Sequence, residues 1–126
     1  MPRSVALPLV AFLVALPAHA ADPPAAAKAE IQYLLDDLGD SGCQFFRNGA
    51  WYSSANARDH LQKKYAALLD RGMVKTTEDF IARAASDSSM SGQPYQVRCA
   101  GSAPMPSGKW LEAELARYRK LKPAPK

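Results

Sequence analysis

The chain has 126 residues, 16 lysines and arginines against 12 aspartates and glutamates, and a formal net charge of +4. This length suits one domain with a modest hydrophobic core. The positive charge is mild and forms no dense basic block, so the composition argues against a protein that binds nucleic acid.

The first 20 residues have the layout of a secretory signal peptide. Arg3 precedes an apolar stretch, Val5 to Leu16, and Pro17-Ala18-His19-Ala20 supplies an A-x-A cleavage pattern. The apolar stretch has about a dozen residues, whereas a membrane span needs roughly 20. We therefore predict a signal peptide over 1–20, a single mature domain over 21–126 with short irregular ends, and a periplasmic or secreted location. An uncleaved membrane helix is the alternative, and no transmembrane segment is expected after cleavage.

A first helix is predicted from Ala25 to Asp40. Its apolar residues recur at three- and four-residue steps, which is typical of one buried helix face: Ile31, Leu34, Leu35 and Leu38. Gly39 and Gly42 bracket the predicted end of this helix.

The segment after this helix predicts a β-hairpin. Two β-prone runs, 43–47 and 50–52, flank Asn48-Gly49. Both central residues of a type I′ turn need positive φ, which asparagine and glycine tolerate best. Since a hairpin has two faces, its aromatic residues either join the core or form an exposed partner surface: Phe46, Trp51 and Tyr52.

Three further helices are predicted. The second is capped by Ser53 or Ser54 and runs to about Asp70, and the third is capped by Thr76 or Thr77. The last is capped by Ser107 and covers about 108–121, with basic residues near its end. Before it, a polar turn over 86–93 leads into a strand over 94–99, in which Tyr95, Val97 and Cys99 alternate with polar residues. A loop is predicted between that strand and the last helix.

Cys43 and Cys99 are the two cysteines of the chain. In an exported protein, paired cysteines normally form a disulfide. A redox-active pair or a set of metal ligands is the alternative, but there is no C-x-x-C motif and His60 is the only histidine after the predicted cleavage point. We predict a structural Cys43–Cys99 disulfide, no metal site and no cofactor.

Several motifs resemble a family of short exported proteins of Gram-negative bacteria, a domain of unknown function. They are Ser41-x-Cys43-x-Phe45-x-Arg47-Asn48-Gly49-x-x-Tyr52, Ala57-x-x-His60-Leu61 with Lys64, Glu78-Asp79-Phe80-Ile81, and Ser88-Ser89-x-Ser91-Gly92-x-Pro94-Tyr95. The resemblance spans about Ile31 to Tyr118 and includes an uncharacterised enterobacterial protein. It implies export and supplies no catalytic residues.

The polar residues of these motifs form the predicted ligand or partner surface. Hydroxyl groups and glycine in the turn over 88–92 can present donors to a sugar, phosphate or carboxylate, although turn formation explains the same residues. The hairpin arginine can add a bidentate anion contact, or it can be solvated. The full set of candidates is Arg47, Asn48, His60, Lys64, Ser88, Ser89, Ser91 and Tyr95.

The fold class predicted is α+β, with about four helices packed on a small antiparallel sheet made of the hairpin and one further strand. The favoured function is a small binding or interaction module of the cell envelope, without a catalytic set, whose partner is an envelope protein, a glycan or a small anionic ligand. One alternative is a small periplasmic hydrolase using His60 and a serine. The other is a protein held at the envelope by its basic C-terminal helix.

Overall fold

The computed structural model describes residues 2–13 and 22–122, and the secondary structure of this part follows the predicted order closely. The helices are α1 (Ala25–Asp40), α2 (Ser54–Asp70), α3 (Thr77–Ala84) and α4 (Ser107–Leu121), and the strands are β1 (Gln44–Arg47), β2 (Ala50–Tyr52), β3 (Gln96–Arg98) and β4 (Met105–Pro106). The α+β prediction is confirmed.

The four strands form one antiparallel sheet in the order β2-β1-β3-β4. Asn48 and Gly49 have φ values of 49° and 83°, so the hairpin turn has the positive φ at both positions that the sequence predicts. Strand β4 was not predicted, because two residues that include a proline carry no alternating pattern.

Strand β3 is shorter than the predicted strand over 94–99. The amide of Tyr95 donates to the Ser86 carbonyl (2.9 Å), and the Tyr95 carbonyl accepts from the Ser107 amide (2.9 Å). Tyr95 is therefore fixed by the turn before the strand and by the start of α4, rather than by pairing with β1.

The two faces of the sheet differ. Phe45 and Val97 are paired across β1 and β3, and both are buried against the helices. Phe46 and Trp51 pair across the hairpin on the opposite face, with ring centroids 5.1 Å apart, and both are half-buried. The Arg98 guanidinium lies 4.0 Å above the Trp51 ring. These two hairpin aromatics therefore lie outside the main core.

The core lies between the helices and the inner face of the sheet. The apolar faces of α1 to α4 supply most of it: Ile31, Leu34, Leu35, Leu38, Ala57, Leu61, Tyr65, Phe80, Ile81, Ala84, Leu111 and Leu115. The Tyr65 and Phe80 rings meet edge to face at 5.5 Å, which joins α2 to α3.

Two predicted caps are confirmed and one is wrong. Ser53 accepts from the Asn56 amide (3.2 Å), and Thr76 forms a reciprocal capping box with Asp79. Ser107, by contrast, is the first residue of α4, and Pro106 precedes it without a side-chain cap. As the first helical residue, Ser107 donates its amide to the Tyr95 carbonyl (2.9 Å), while its side chain is fully buried and its Oγ has no hydrogen-bond partner within the described residues.

The Cys43–Cys99 disulfide is present and joins the residue before β1 to the residue after β3. Gln44 and Arg98 pair across β1 and β3, so the disulfide lies next to the last residue pair of two strands that are already hydrogen-bonded to each other. It thereby encloses β1, β2, α2, α3 and β3 in one covalent loop.

The predicted cleavage site, 17–20, and the tail over 123–126 lie outside the described residues. Residues 2–13 have no regular secondary structure and are exposed. In the part of the chain that is described, no helix combines the length and apolar character needed to cross a membrane.

Candidate binding site

Helix α2 places His60 and Lys64 one turn apart on one side of the helix. Ala57 and Leu61 of α2 are fully buried and hold the helix against the core, so the two basic side chains emerge at the margin of the buried face. Both are half-buried rather than solvated. This margin faces the end of the sheet at which Tyr95 enters β3.

Tyr95 is the centre of the site. Its ring is buried, with 2% of the residue exposed, and packs on the Phe45 ring at 4.9 Å between centroids. Lys64 Nζ donates to the Tyr95 hydroxyl at 2.9 Å, and His60 Nε2 lies 3.1 Å from the same oxygen. Because the ammonium can only donate, the phenol proton is available to the imidazole.

Lys64 also contacts the turn that follows α3. Its Nζ donates to the Asp87 carbonyl at 2.9 Å and lies 4.8 Å from the centroid of the Tyr95 ring. The ammonium therefore bridges α2, the Asp87 turn and Tyr95.

Burial and neighbouring cations shift the titration of this group of side chains. Burial lowers the pKa of His60, and the charges of Arg47, Lys64 and Lys63 lower it further. Burial also lowers the pKa of Lys64, although the Asp87 carboxylate opposes this effect. His60 is consequently neutral at pH 7, and its Nε2 can accept the Tyr95 proton.

The pKa of the Tyr95 phenol is shifted upward, whereas those of His60 and Lys64 are shifted downward. Burial raises its pKa, the charge of Arg47 counteracts the rise, and Asp87 adds to it. The phenol is therefore a neutral hydrogen-bonding group at physiological pH and not a phenolate nucleophile.

Arg47 lies at the end of β1, beside these groups. Its guanidinium carbon is 4.1 Å from the centroid of the Tyr52 ring, which fixes the side chain by a cation–π contact. Its Nε is buried and has no hydrogen-bond partner among the described residues. We call Arg47, His60, Lys64 and Tyr95 the Tyr95 cluster.

Asn48 joins the hairpin tip to the polar turn over 88–92. Its carboxamide oxygen accepts from Ser88 Oγ at 2.8 Å and from Ser91 Oγ at 3.2 Å. Ser88, which is buried, also accepts from the amides of Met90 and Ser91, each at 3.3 Å. Turn formation therefore accounts for Asn48, Ser88 and Ser91, which border the Tyr95 cluster.

The structure thus brings together the candidates from the hairpin, α2 and the polar turn. Ser89 is the exception, since it is exposed and has no side-chain hydrogen bond within the described chain. Asp87 belongs to the site but was not among the candidates, because its role depends on a backbone carbonyl and on a charge near Lys64. Tyr52 was considered only as a core or surface aromatic, and no local pattern marks its contact with Arg47.

Neither a serine–histidine pair nor a metal cluster is found here. Among the described residues, the hydrogen-bond partner of His60 is Tyr95, while Ser88 and Ser91 donate to Asn48. Over the same residues, no group of three or more histidine, cysteine, aspartate or glutamate side chains is arranged to hold a metal ion. What the arrangement offers chemically is positive charge and hydrogen-bond donors.

Comparison with known proteins agrees with the resemblance noted from the motifs at the level of the family. The uncharacterised protein YfeK of Salmonella typhimurium is 34% identical over 94 residues, which cover 74% of this chain and 76% of YfeK. No solved structure matches significantly. The profile of a family of unknown function, DUF5329, matches residues 25–119. The chain therefore belongs to the DUF5329 family.

Proposed function

We propose that this protein is a small binding module of the cell envelope, and that its Tyr95 cluster holds a carboxylate or phosphate group of its ligand. Export is proposed from the N-terminal layout, and the disulfide supports an oxidising compartment. The proposal concerns binding, because the cluster contains donors and cations but no activated nucleophile.

The observation that carries this proposal is the excess of positive charge around the Tyr95 phenol, where two cations, Arg47 and Lys64, are near one acid, Asp87. Arg47 and Lys64 lie beside one buried phenol, and the buried Arg47 Nε has no partner within the described part of the chain. The charge of the Asp87 carboxylate raises the pKa of both Lys64 and Tyr95. Burying cationic groups is costly unless they are paired, so an anionic ligand would stabilise the arrangement.

The chemistry of the cluster selects an oxyanion. The guanidinium of Arg47 and the ammonium of Lys64 can both donate to carboxylate or phosphate oxygens. The exposed Ser89 hydroxyl lies in the adjoining turn and is available for a sugar or peptide carrying that anion. A glycan acid, a phosphorylated envelope component and an acidic partner protein share this feature.

The two alternatives have less support. Among the described residues, His60 is hydrogen-bonded to Tyr95 and not to a serine, so this contact gives the hydrolase hypothesis no support. For the C-terminal helix, Arg117 pairs with Glu114 and Arg119 pairs with Glu30 and Glu78. Part of the helix charge is thus neutralised within the fold and is not free for a membrane surface.

A titration monitored by NMR tests the proposal. Inorganic phosphate, acetate and glucuronate are each added to ¹⁵N-labelled mature protein, and the Arg47 Nε–H and the amides over 87–95 are followed. We expect saturable shifts with at least one of the three, and at least a tenfold weaker Kd in Arg47→Gln.

Arg83→Gln is the matched control, because Arg83 is an exposed arginine in the last turn of α3. This variant should bind like the wild type. Non-saturable shifts with all three anions, or equal weakening in Arg47→Gln and Arg83→Gln, would overturn the proposal.

A further inference from the structure

A cavity of about 270 Å³ lies between α4 and the β3–β4 end of the sheet. Four residues of α4, spaced three or four positions apart and therefore on one face of the helix, line one side of it: Trp110, Ala113, Glu114 and Arg117. The sheet and the loop after β3 line the other side: Val97, Cys99, Ser102, Ala103 and Met105. None of these residues belongs to the Tyr95 cluster, so the cavity is a separate candidate site.

Most of the lining is apolar and is held in place by the fold. Val97 and Met105 pair across β3 and β4, and Trp110 packs against the hydrophobic core. The loop after β3 is fixed at Cys99 by the disulfide, and the Ser102 amide closes a turn by donating to the Cys99 carbonyl at 3.1 Å. The cavity is therefore preformed, which is usual for sites that bind small molecules.

Two side chains of opposite charge line this apolar cavity. Glu114 Oε1 lies 3.1 Å from Arg117 Nη2, and the side chains are 11% and 65% exposed, respectively. The carboxylate is thus within the protein and the guanidinium extends into solvent. Burial and, after it, the acid Asp37 raise the pKa of Glu114 to about 6, so its charge at pH 7 is less well stabilised than in water. A cationic group placed in the cavity would stabilise this carboxylate.

We propose that the cavity binds a free α-amino acid with a large apolar side chain, whose ammonium group contacts Glu114 and whose carboxylate contacts Arg117. An α-amino acid carries both charges on one carbon atom, so they can meet two protein charges that are only 3.1 Å apart. Its side chain would lie against Trp110 and Met105. The cavity is slightly smaller than the roughly 300–1,000 Å³ of sites for drug-sized molecules, which suits a ligand of amino-acid size.

The two charges disfavour ligands that carry a single charge. An anion without a cationic group would be repelled by the Glu114 carboxylate, and a cation without an anionic group would be repelled by the Arg117 guanidinium. Water screens the exposed Arg117 more strongly than the buried Glu114. The ammonium group of the ligand should therefore contribute more to binding than its carboxylate.

NMR titration of the mature, oxidised protein at pH 7 tests this inference. L-phenylalanine and L-leucine are each compared with the amine that lacks the carboxylate and the acid that lacks the amino group, which for phenylalanine are phenethylamine and phenylpropionate. The Trp110 indole N–H and the amides over 99–103 report the cavity, and the amides over 87–95 report the Tyr95 cluster separately. We expect saturable shifts of the cavity signals with at least one amino acid. Its acid analogue should bind about tenfold or more weakly, and its amine analogue should bind less weakly than the acid.

Ala113→Leu tests the cavity itself. Ala113 is exposed, so a leucine there occupies the cavity without disturbing the core, and binding should be lost. Ala116→Leu is the matched control, because Ala116 is an exposed alanine of the same helix that does not line this cavity. It should bind like the wild type.

Arg117→Gln tests the contact with the ligand carboxylate. The variant should lose the preference for the amino acid over its amine, because Arg117 is the partner of the group that distinguishes the two. Its exposed position makes the substitution compatible with folding. Shifts confined to the amides over 87–95, equal affinity for an amino acid and its two analogues, or unchanged binding in Ala113→Leu would overturn the inference.

Discussion

Tyr95 shows how one side chain organises a polar site at the edge of a hydrophobic core. Its ring packs on Phe45, while its hydroxyl binds Lys64 and His60 of α2. The ring contributes apolar burial and the oxygen gives the two basic groups a common partner. The residue therefore joins the inner face of the sheet to α2 by both kinds of interaction.

Tyr95→Phe isolates the contribution of the hydroxyl. We expect the free energy of unfolding to fall by about 1–2 kcal/mol, because a half-buried ammonium and an imidazole lose their shared partner. Urea denaturation at pH 7 measures the change. Tyr118→Phe is the matched control on a half-buried tyrosine, and a loss of equal size in both variants would contradict a special role for the Tyr95 oxygen.

His60 reports the electrostatic environment of the Tyr95 cluster. We expect its imidazole to titrate below its ordinary 6.5, because burial and three nearby cations disfavour the charged form. The associated stability is present above pH 6.5 and is lost as the pH falls through the lowered pKa. Measurement is by NMR of the ring protons.

The three cations lower the pKa of His60 to different extents, so removing them one at a time provides a control for this titration. Arg47→Gln should raise the His60 midpoint more than Lys63→Gln does, since Arg47 has the larger effect on this pKa. A midpoint at or above 6.5 in the wild type would show that the cluster is more solvated than the structure indicates.

At the scale of the elements, local signals predicted most helix starts and the hairpin turn. Ser53 and Thr76 cap α2 and α3, and Asn48-Gly49 adopts the positive φ angles of its turn. Such signals work because capping and turn conformations depend on neighbouring backbone groups. Ser107 was misjudged because its role depends on distant contacts, including the bond from its amide to Tyr95.

The capping box of α3 can be tested at both of its members. Asp79 accepts from the amides of Lys75 and Thr76, and these bonds lower its pKa. Thr76→Ala should lower the free energy of unfolding by about 1 kcal/mol, while Thr76→Ser should cost much less. Thermal and urea unfolding measure both. Equal losses in the two variants would show that the methyl group of Thr76, and not its hydroxyl, stabilises the helix start.

At the scale of the whole molecule, the disulfide joins two cysteines that are 56 positions apart in the sequence. Chain-entropy arguments assign a loop of this length about 4 kcal/mol, a large part of the roughly 5–15 kcal/mol that stabilise a small domain. The Cys43→Ser/Cys99→Ser double variant should therefore melt at a much lower temperature than the oxidised wild type. Reduced wild-type protein should resemble the variant. A loss below about 1 kcal/mol would show that the β1–β3 pairing is sufficient without the bond.

The sequence by itself determined the positions of the helices, the hairpin and its turn, and it pointed to the disulfide through the number of cysteines and the predicted export. These features depend on periodicity, capping and turn chemistry within a few residues of chain. The sequence also predicted that one further strand joins the hairpin, but only the tertiary structure showed that Tyr95, just before that strand, contacts Lys64 and His60 of α2 and lies near Arg47. Contacts between distant residues follow from the order of strands and the packing of helices, and no local pattern in the chain encodes either.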